Sequence, residues 1–430
     1  MAEQIQGIRG MGDVLPADTP IWQSVEAVLQ QTMHAYAYQE IRIPIVERTE
    51  LFQRSIGEVT DIVEKEMYSF ADRNGESITL RPEATAGIVR AGISHGLLHN
   101  QKQKLWCVGP MFRYEKPQKG RYRQFHQFDV EALGYEGPDI DAELIMMSAR
   151  VWRDLNLDAV ELQLNSLGTP QSRNRYRGVL TEYFSSYEDS LDEDSRQRLH
   201  RNPMRILDSK NSEMEPVIQQ APKINEYLDS ESADHFQALQ QMLSDVGMQF
   251  AVNPRLVRGL DYYTRTVFEW VTDRLGSQGA ICSGGRYDGL VEHLGGKPTP
   301  AIGWAIGMER LVELYKLSER TETDNQRHVY IVAVGDAAMK SAFLIAENLR
   351  SDYTDLRVEM NKGGAGFKSQ FKRADRSGAA LALILGEEEA KSEVIGLKPL
   401  RRDGSQKQVA LADLNAAIDE FLRSSPEPSQ

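Results

Sequence analysis

FRYEKPQKGRYRQFHQFDVEALG, residues 112–134, reads as two β-strands meeting at a turn. Pro117 and Gly120 make the turn and withdraw it from the strand ladder. After it, Gln127, Asp129 and Glu131 alternate with Phe128, Val130 and Ala132, so a half-buried strand carries amide and acid groups on one face and apolar groups on the other. Gln127 and Glu131 then lie about 13 Å apart along that face, room for a small zwitterion. Between Arg113 and Arg123 stand five cations (Arg113, Lys116, Lys119, Arg121, Arg123) against one anion, Glu115, a local charge of +4. Phosphate is the natural partner of such a cluster. Acids and amides beside phosphate-binding cations point to one site for an amino-containing molecule and a nucleotide.

The setting is otherwise acidic. The chain has 430 residues and a formal net charge of −13, which argues against wholesale non-specific nucleic-acid binding but leaves local basic patches free to meet RNA. Its length suits two or three domains. No apolar run approaches the roughly 20 residues of a membrane helix, and the N-terminus lacks the pattern of a secretory signal. Two cysteines, Cys107 and Cys282, make neither a disulfide framework nor a four-cysteine zinc site. A cytoplasmic protein without a membrane partner or a resident metal is expected.

The strand pair sits in strand-like text. Ile21, Val25, Val28, Leu29, Met33 and Tyr36 predict an amphipathic helix after Pro20. IRIPIV, MYSF, ITLRPE, LWCVGPMFRYE and RQFHQFDVEAL then read as strands, and GPDIDAELIMMSARVWRDL as a helix. The core's first part is 1–169. Residues 170–252 are polar and helical in pattern, an expected insertion. YYTRTVFEWV, AICSGGRYDGL and the helix around MERLVELYKL form the second part of the core, 253–322. SERTETDNQR, 318–327, reads as a linker. In 323–430, HVYIVAV, LRVEM and ALALILG alternate with helices, which implies a mostly parallel sheet.

Familiar phosphate loops do not supply the nucleotide site. GGKPT lacks the residues of a P-loop, and GGAGF does not complete a dinucleotide fingerprint. Instead, FRYEKPQKGRYRQFHQF resembles motif 2 of the class II aminoacyl-tRNA synthetases, IGWAIGMERL (302–311) motif 3, and IRIPIVERTELF, around Pro44, motif 1. LVRGLDYYT (256–264), SGGRYDGL (283–290), TLRPEATAG (79–87) and IRGMGDVLP are similar to the histidyl-tRNA synthetase family in particular. The resemblance implies an α+β fold: an antiparallel sheet with flanking helices, a helical insertion and a C-terminal α/β anticodon-binding domain. It also implies a homodimer joined through motif 1.

The implied activity is ATP-dependent attachment of L-histidine to tRNA(His) through histidyl-adenylate, with Mg²⁺ accompanying ATP. Arg113 would clasp the α-phosphate and the acyl carbonyl, Arg258 would meet the α-phosphate, and Arg310 the γ-phosphate of a bent ATP. Arg121, Gly284, Gly285, Arg286 and Gly307 would complete the nucleotide site. Glu131 and Tyr263 would face the imidazole, with Tyr262 beside them or turned into the core, since neighbours in a strand point opposite ways. Glu83, Thr85 and Gln127 would gather the α-ammonium, and Arg258 would lie near the carboxylate. Lys116, Gln118 and Lys119 would meet the tRNA acceptor end, and Lys368, Lys372 and Arg376, four apart on one helical face, the anticodon arm. Ala84 stands where the family usually has glycine, Lys116 where it usually has arginine, and Asp129 adds a charge without a family role. Two rivals are a regulatory paralogue that binds histidine without charging tRNA, and a synthetase for threonine or proline.

Overall fold

Alternating polar and apolar residues produce the main sheet. The computed structural model describes residues 4–56, 60, 62–209, 211–260, 262–276, 279–318 and 328–424. The expected linker falls almost wholly outside them. The chain divides into two units, Met1–Thr321 and Glu322–Gln430.

In the first unit the strands are β1 (Gln39–Glu40), β2 (Val46–Arg48), β3 (Tyr68–Ala71), β4 (Ser77–Leu80), β5 (Gln103–Phe112), β6 (Gln124–Leu133), β7 (Glu161–Ser166), β8 (Ala251–Val252), β9 (Thr264–Val271), β10 (Ala280–Arg286) and β11 (Ala301–Gly307). Eight of them form one sheet, ordered β1-β5-β6-β11-β10-β9-β7-β8; β2, β4 and β3 form a smaller one. The long central pairings β5–β6, β6–β11, β11–β10 and β10–β9 are all antiparallel. Phe128, Val130 and Ala132 of β6 enter the main apolar core, together with Val25, Leu29 and Met33 of the helix Thr19–Ala35 and Leu144, Met147 and Val151 of the helix Pro138–Asp154. One sheet face is therefore covered by helices, which leaves the opposite face of β6 for the site.

A separate helical core, built around Tyr176, Leu180, Phe184, Leu199 and Met214, fills the expected insertion. The insertion ends earlier than the polar text suggests. Phe236, Leu239 and Leu243 of the helix Ser230–Asp245 pack into the main core, and β8 joins the large sheet. IRIPIV is only marginally a strand: Pro44 has no amide hydrogen to give a ladder, and pairing begins at Val46.

The second unit has strands β12 (His328–Ala333), β13 (Arg357–Met360), β14 (Leu381–Leu385), β15 (Val394–Pro399) and β16 (Lys407–Ala410), ordered β13-β12-β14-β15-β16. The first three are parallel and the last two antiparallel. In the helix Phe367–Arg376, Gln370 and Ala374 are buried, while Lys368, Lys372 and Arg376 are exposed as one face. No described helix is long and apolar enough to cross a membrane.

Candidate active site

The uncovered face of β6 forms the floor of a cavity of about 240 Å³. Its shape follows from strand register. Gln127, Asp129 and Glu131 sit opposite Gly307, Ala305 and Gly303 of β11. Small residues in that column leave the long polar side chains of β6 free to lie over the sheet. A Cβ on Gly303 would collide with the Glu131 carboxylate and with the Val130 carbonyl.

The carboxylates are held unequally. Glu83 accepts from the backbone N–H groups of Thr85 (2.9 Å) and Ala86 (2.8 Å), where the helix Thr85–Ser94 begins. Glu131 accepts from Thr85 Oγ1 at 2.6 Å and from the Tyr287 hydroxyl. Burial raises the Glu131 carboxyl to about 8, against the pull of its two donors. Burial also raises Glu83, and it raises Asp129 well above the carboxylate range, helped there by the neighbouring Glu131 and Glu83.

Four arginines line the same cavity: Arg113, Arg121, Arg258 and Arg310. Arg113 Nε donates to Pro82 O at 2.9 Å. Arg310, in the first turn of the helix Met308–Leu317, donates to Gly120 O and Ala280 O, each at 2.9 Å. It thereby ties the basic turn to the sheet. Gly120 has φ +76°, a left-handed conformation that glycine adopts without strain. Burial, then the Arg121 and Arg113 guanidinium groups, lower the proton affinity of Arg310. Such a crowd of cations favours an anion. Arg258 spans β9 and β10, donating to Glu269 at 2.9 Å and to Ser283 Oγ at 2.8 Å.

The expected residues Glu83, Thr85, Arg113, Arg121, Gln127, Glu131, Arg258, Tyr262, Tyr263, Gly307 and Arg310 all line this cavity. Tyr262 and Tyr263 both reach it because they precede β9, in a turn, where strand alternation does not apply. Tyr287 and Ser283 had no assigned role in the sequence, yet both line the cavity; Gly303, which with Gly307 was open to either a nucleotide floor or tight packing, lines it as well. The signal for Tyr287 was its place just beyond the strand that carries Gly284 and Gly285.

Two expectations need correction. Arg286 is wholly buried and does not line the cavity. It pairs with Asp141 at 2.8 Å and donates to the carbonyls of Tyr135 and Gly137, bracing the loop after β6 to β10. Gly284 and Gly285 also lie off the cavity. A Cβ on Gly284 would strike Gly303 O and Trp304, and one on Gly285 would come within 2.5 Å of Thr266 O, so close strand packing requires them. Lys116, Gln118 and Lys119 are exposed on the turn, with Lys119 paired to Glu313 at 2.8 Å. Among the described residues no three His, Cys, Asp or Glu side chains gather to hold a metal ion.

A mainly antiparallel sheet, helices over one face and an arginine-rich cavity on the other define a class II aminoacyl-tRNA synthetase. Residues 10–311 match the family model for histidyl-tRNA synthetase, and residues 328–421 match that for an anticodon binding domain. The chain belongs to the histidyl-tRNA synthetase family. It is 55% identical over 427 residues to a histidine–tRNA ligase from Alkalilimnicola ehrlichii, covering 99% of this chain and 98% of that one. The structure of apo histidyl-tRNA synthetase from S. aureus superposes with a TM-score of 0.80 at 35% identity, covering 97% of this chain and 100% of the other. A Bacillus halodurans protein described as an ATP phosphoribosyltransferase regulatory subunit/histidyl-tRNA synthetase shares the fold, with a TM-score of 0.64 at 20% identity over 90% of this chain and 98% of that one.

Proposed function

We propose that this protein joins L-histidine to ATP, releasing pyrophosphate, and then passes the histidyl group to tRNA(His). One observation carries the reading: acids, amides and tyrosines from separate stretches of chain share a single cavity with four arginines. That lining suits an amino acid and a triphosphate held side by side.

In the first step a histidine carboxylate oxygen bonds to the α-phosphorus as the bond to pyrophosphate breaks. Negative charge builds on the α-phosphoryl oxygens, beside which Arg113 and Arg258 stand ready; Arg310 takes the far end of the triphosphate. Preorganised cations suffice for such chemistry. In the second step a ribose hydroxyl of the tRNA end bonds to the acyl carbon, loses its proton, and AMP departs. Glu131, fixed by Thr85 and Tyr287, accepts the ring N–H of histidine, and Tyr263 meets the other nitrogen. Glu83, Thr85 and Gln127 surround the α-ammonium. A site of buried polar groups rejects side chains that cannot satisfy them.

Most of the cavity carboxylates are already engaged and do not suit a protein-held metal: Glu83 caps a helix, Glu131 accepts from Thr85 and Tyr287, and Glu309 accepts from the His126 backbone N–H at 2.9 Å. Mg²⁺ would therefore arrive on the triphosphate, as part of that substrate. Lys116, Gln118 and Lys119 on the turn, and Lys368, Lys372 and Arg376 on the second unit, are exposed cations and amides suited to tRNA phosphates. Ile45, Val46 and Phe70 are exposed apolar side chains around motif 1, a surface suited to a homodimer. Cytoplasmic work on tRNA agrees with two free cysteines.

The test is histidine-dependent ATP–pyrophosphate exchange followed by charging of total tRNA. Exchange with histidine and charging of tRNA(His) is the expected result. Exchange without charging would assign the regulatory role, and exchange with another amino acid alone would overturn the specificity.

A further inference from the structure

Asp129 is the anomaly of the cavity. It is 1% exposed, and its Oδ2 has no hydrogen-bond partner among the described residues. Gln127 Oε1, on the same strand face about 7 Å along by strand rise, is also buried and unpartnered. The other two acids are engaged: Glu131 by Thr85 and Tyr287, Glu83 by two backbone N–H groups. The cations whose fields reach Asp129 spend donors elsewhere. Arg81 donates to the carbonyls of Pro110 (2.9 Å) and Ile43 (3.0 Å), and Arg113 to that of Pro82 (2.9 Å). Its cross-strand neighbours, Cys107 and Ala305, offer no strong donor.

A buried acid left without hydrogen bonds is costly, and a site tolerates it where a ligand completes it. The missing group should be a donor, because Gln127 Oε1 accepts and Asp129 Oδ2 accepts once a cation beside it draws its carboxyl into the ionised form. It should be cationic, because three carboxyl groups crowd one face of the cavity. It must also be small, because it has to fit between two side chains of one strand. A primary ammonium, with three N–H donors and a full charge, meets all three requirements.

We propose that Asp129 Oδ2, together with Gln127 Oε1, receives the α-ammonium of the amino-acid substrate and so makes the site selective for a free primary amine. This rests on the reading of the cavity as an amino-acid site, and it gives a role to a residue that the family resemblance leaves unassigned. Glu131, held in place by Thr85 and Tyr287, is left to face the ring, and the incoming cation offsets the negative charge of the acids around it.

The test compares L-histidine with imidazolepropionate, which keeps the ring and carboxylate but lacks the amine. Both are titrated into the full-length wild type, Asp129→Asn and Asp129→Ala, with near-ultraviolet circular dichroism as the control for folding. Removing the charge should weaken histidine by about 10- to 100-fold and leave imidazolepropionate binding unchanged. Equal weakening of the two ligands, or none for histidine, would overturn the proposal while leaving the amino-acid site standing. If Asp129→Asn does not fold, Asp129→Ala is judged by the same two criteria. Failure of wild type to bind histidine at all would instead remove the underlying reading, and the proposal with it.

Discussion

Gly303 lies directly across the sheet from Glu131, so close that no side chain fits between them. The contact fixes where the Glu131 carboxylate lies, because the small-residue column of β11 is the surface it rests on. A methyl group there would push against the carboxylate and against the Val130 carbonyl, which cannot retreat without disturbing the β6–β11 ladder. Gly303→Ala should therefore raise KM for histidine sharply, leave KM for ATP near wild type, and cost about 1–3 kcal/mol of stability through overpacking. Steady-state exchange kinetics and a urea midpoint measure both.

Tyr287→Phe isolates the other support of Glu131. The ring is buried and packs edge-on against Tyr262 at 5.5 Å, so phenylalanine preserves the packing and removes only the donor. Loss of a hydrogen bond to a buried carboxyl costs about 1.5–3 kcal/mol. The expected outcome is weaker histidine binding by that amount, with a circular dichroism spectrum unchanged. Unaltered affinity would remove Tyr287 from the pocket's working set.

The buried acids make stability depend on pH in an unusual direction. Glu131 titrates at about 8 in the folded protein against an ordinary 4.5, and Glu83 and Asp129 shift the same way. Each binds its proton more tightly folded than unfolded. The stabilisation is therefore complete below the ordinary value and is lost as pH rises toward about 8 for Glu131. Ligand-free protein should lose stability across that window. Glu131→Gln should flatten the curve, by at most about 1.4 kcal/mol per pH unit for the one group removed. Urea midpoints at several pH values decide it; parallel curves for the two proteins would contradict the assignment.

Local pattern made much of this site legible. Alternation along residues 124–133 foretold which side chains of β6 leave the core, because the strand is long, central and apolar on its other face. The basic turn was legible from charge alone. Partners distant in sequence were not. Nothing near Arg286 announces Asp141, which arrives on a helix from the other side of the core. Alternation could not choose between pocket and core for Tyr262, because it lies in the turn before β9 begins at Thr264. β15 and β16 escaped notice because their sequence lacks the dense apolar run of β14.

The buried position of Arg286 separates two roles that the sequence alone could not. Its guanidinium makes a 2.8 Å bond to Asp141 and a 3.0 Å bond to Asp288, and also donates to the Tyr135 and Gly137 carbonyls. His235 occupies the other oxygen of Asp141 at 2.9 Å. A lysine carries the charge but cannot span these acceptors at once, since its three donors radiate from a single point. Arg286→Lys would leave part of this buried network unpaired, at a cost of about 3–5 kcal/mol. The folded fraction should nevertheless keep its KM for ATP, because the residue does not reach the nucleotide cavity. A residue that gripped ATP would behave in the opposite way, raising KM at little cost in stability. Chemical denaturation and exchange kinetics on the same preparation distinguish the brace from the ligand.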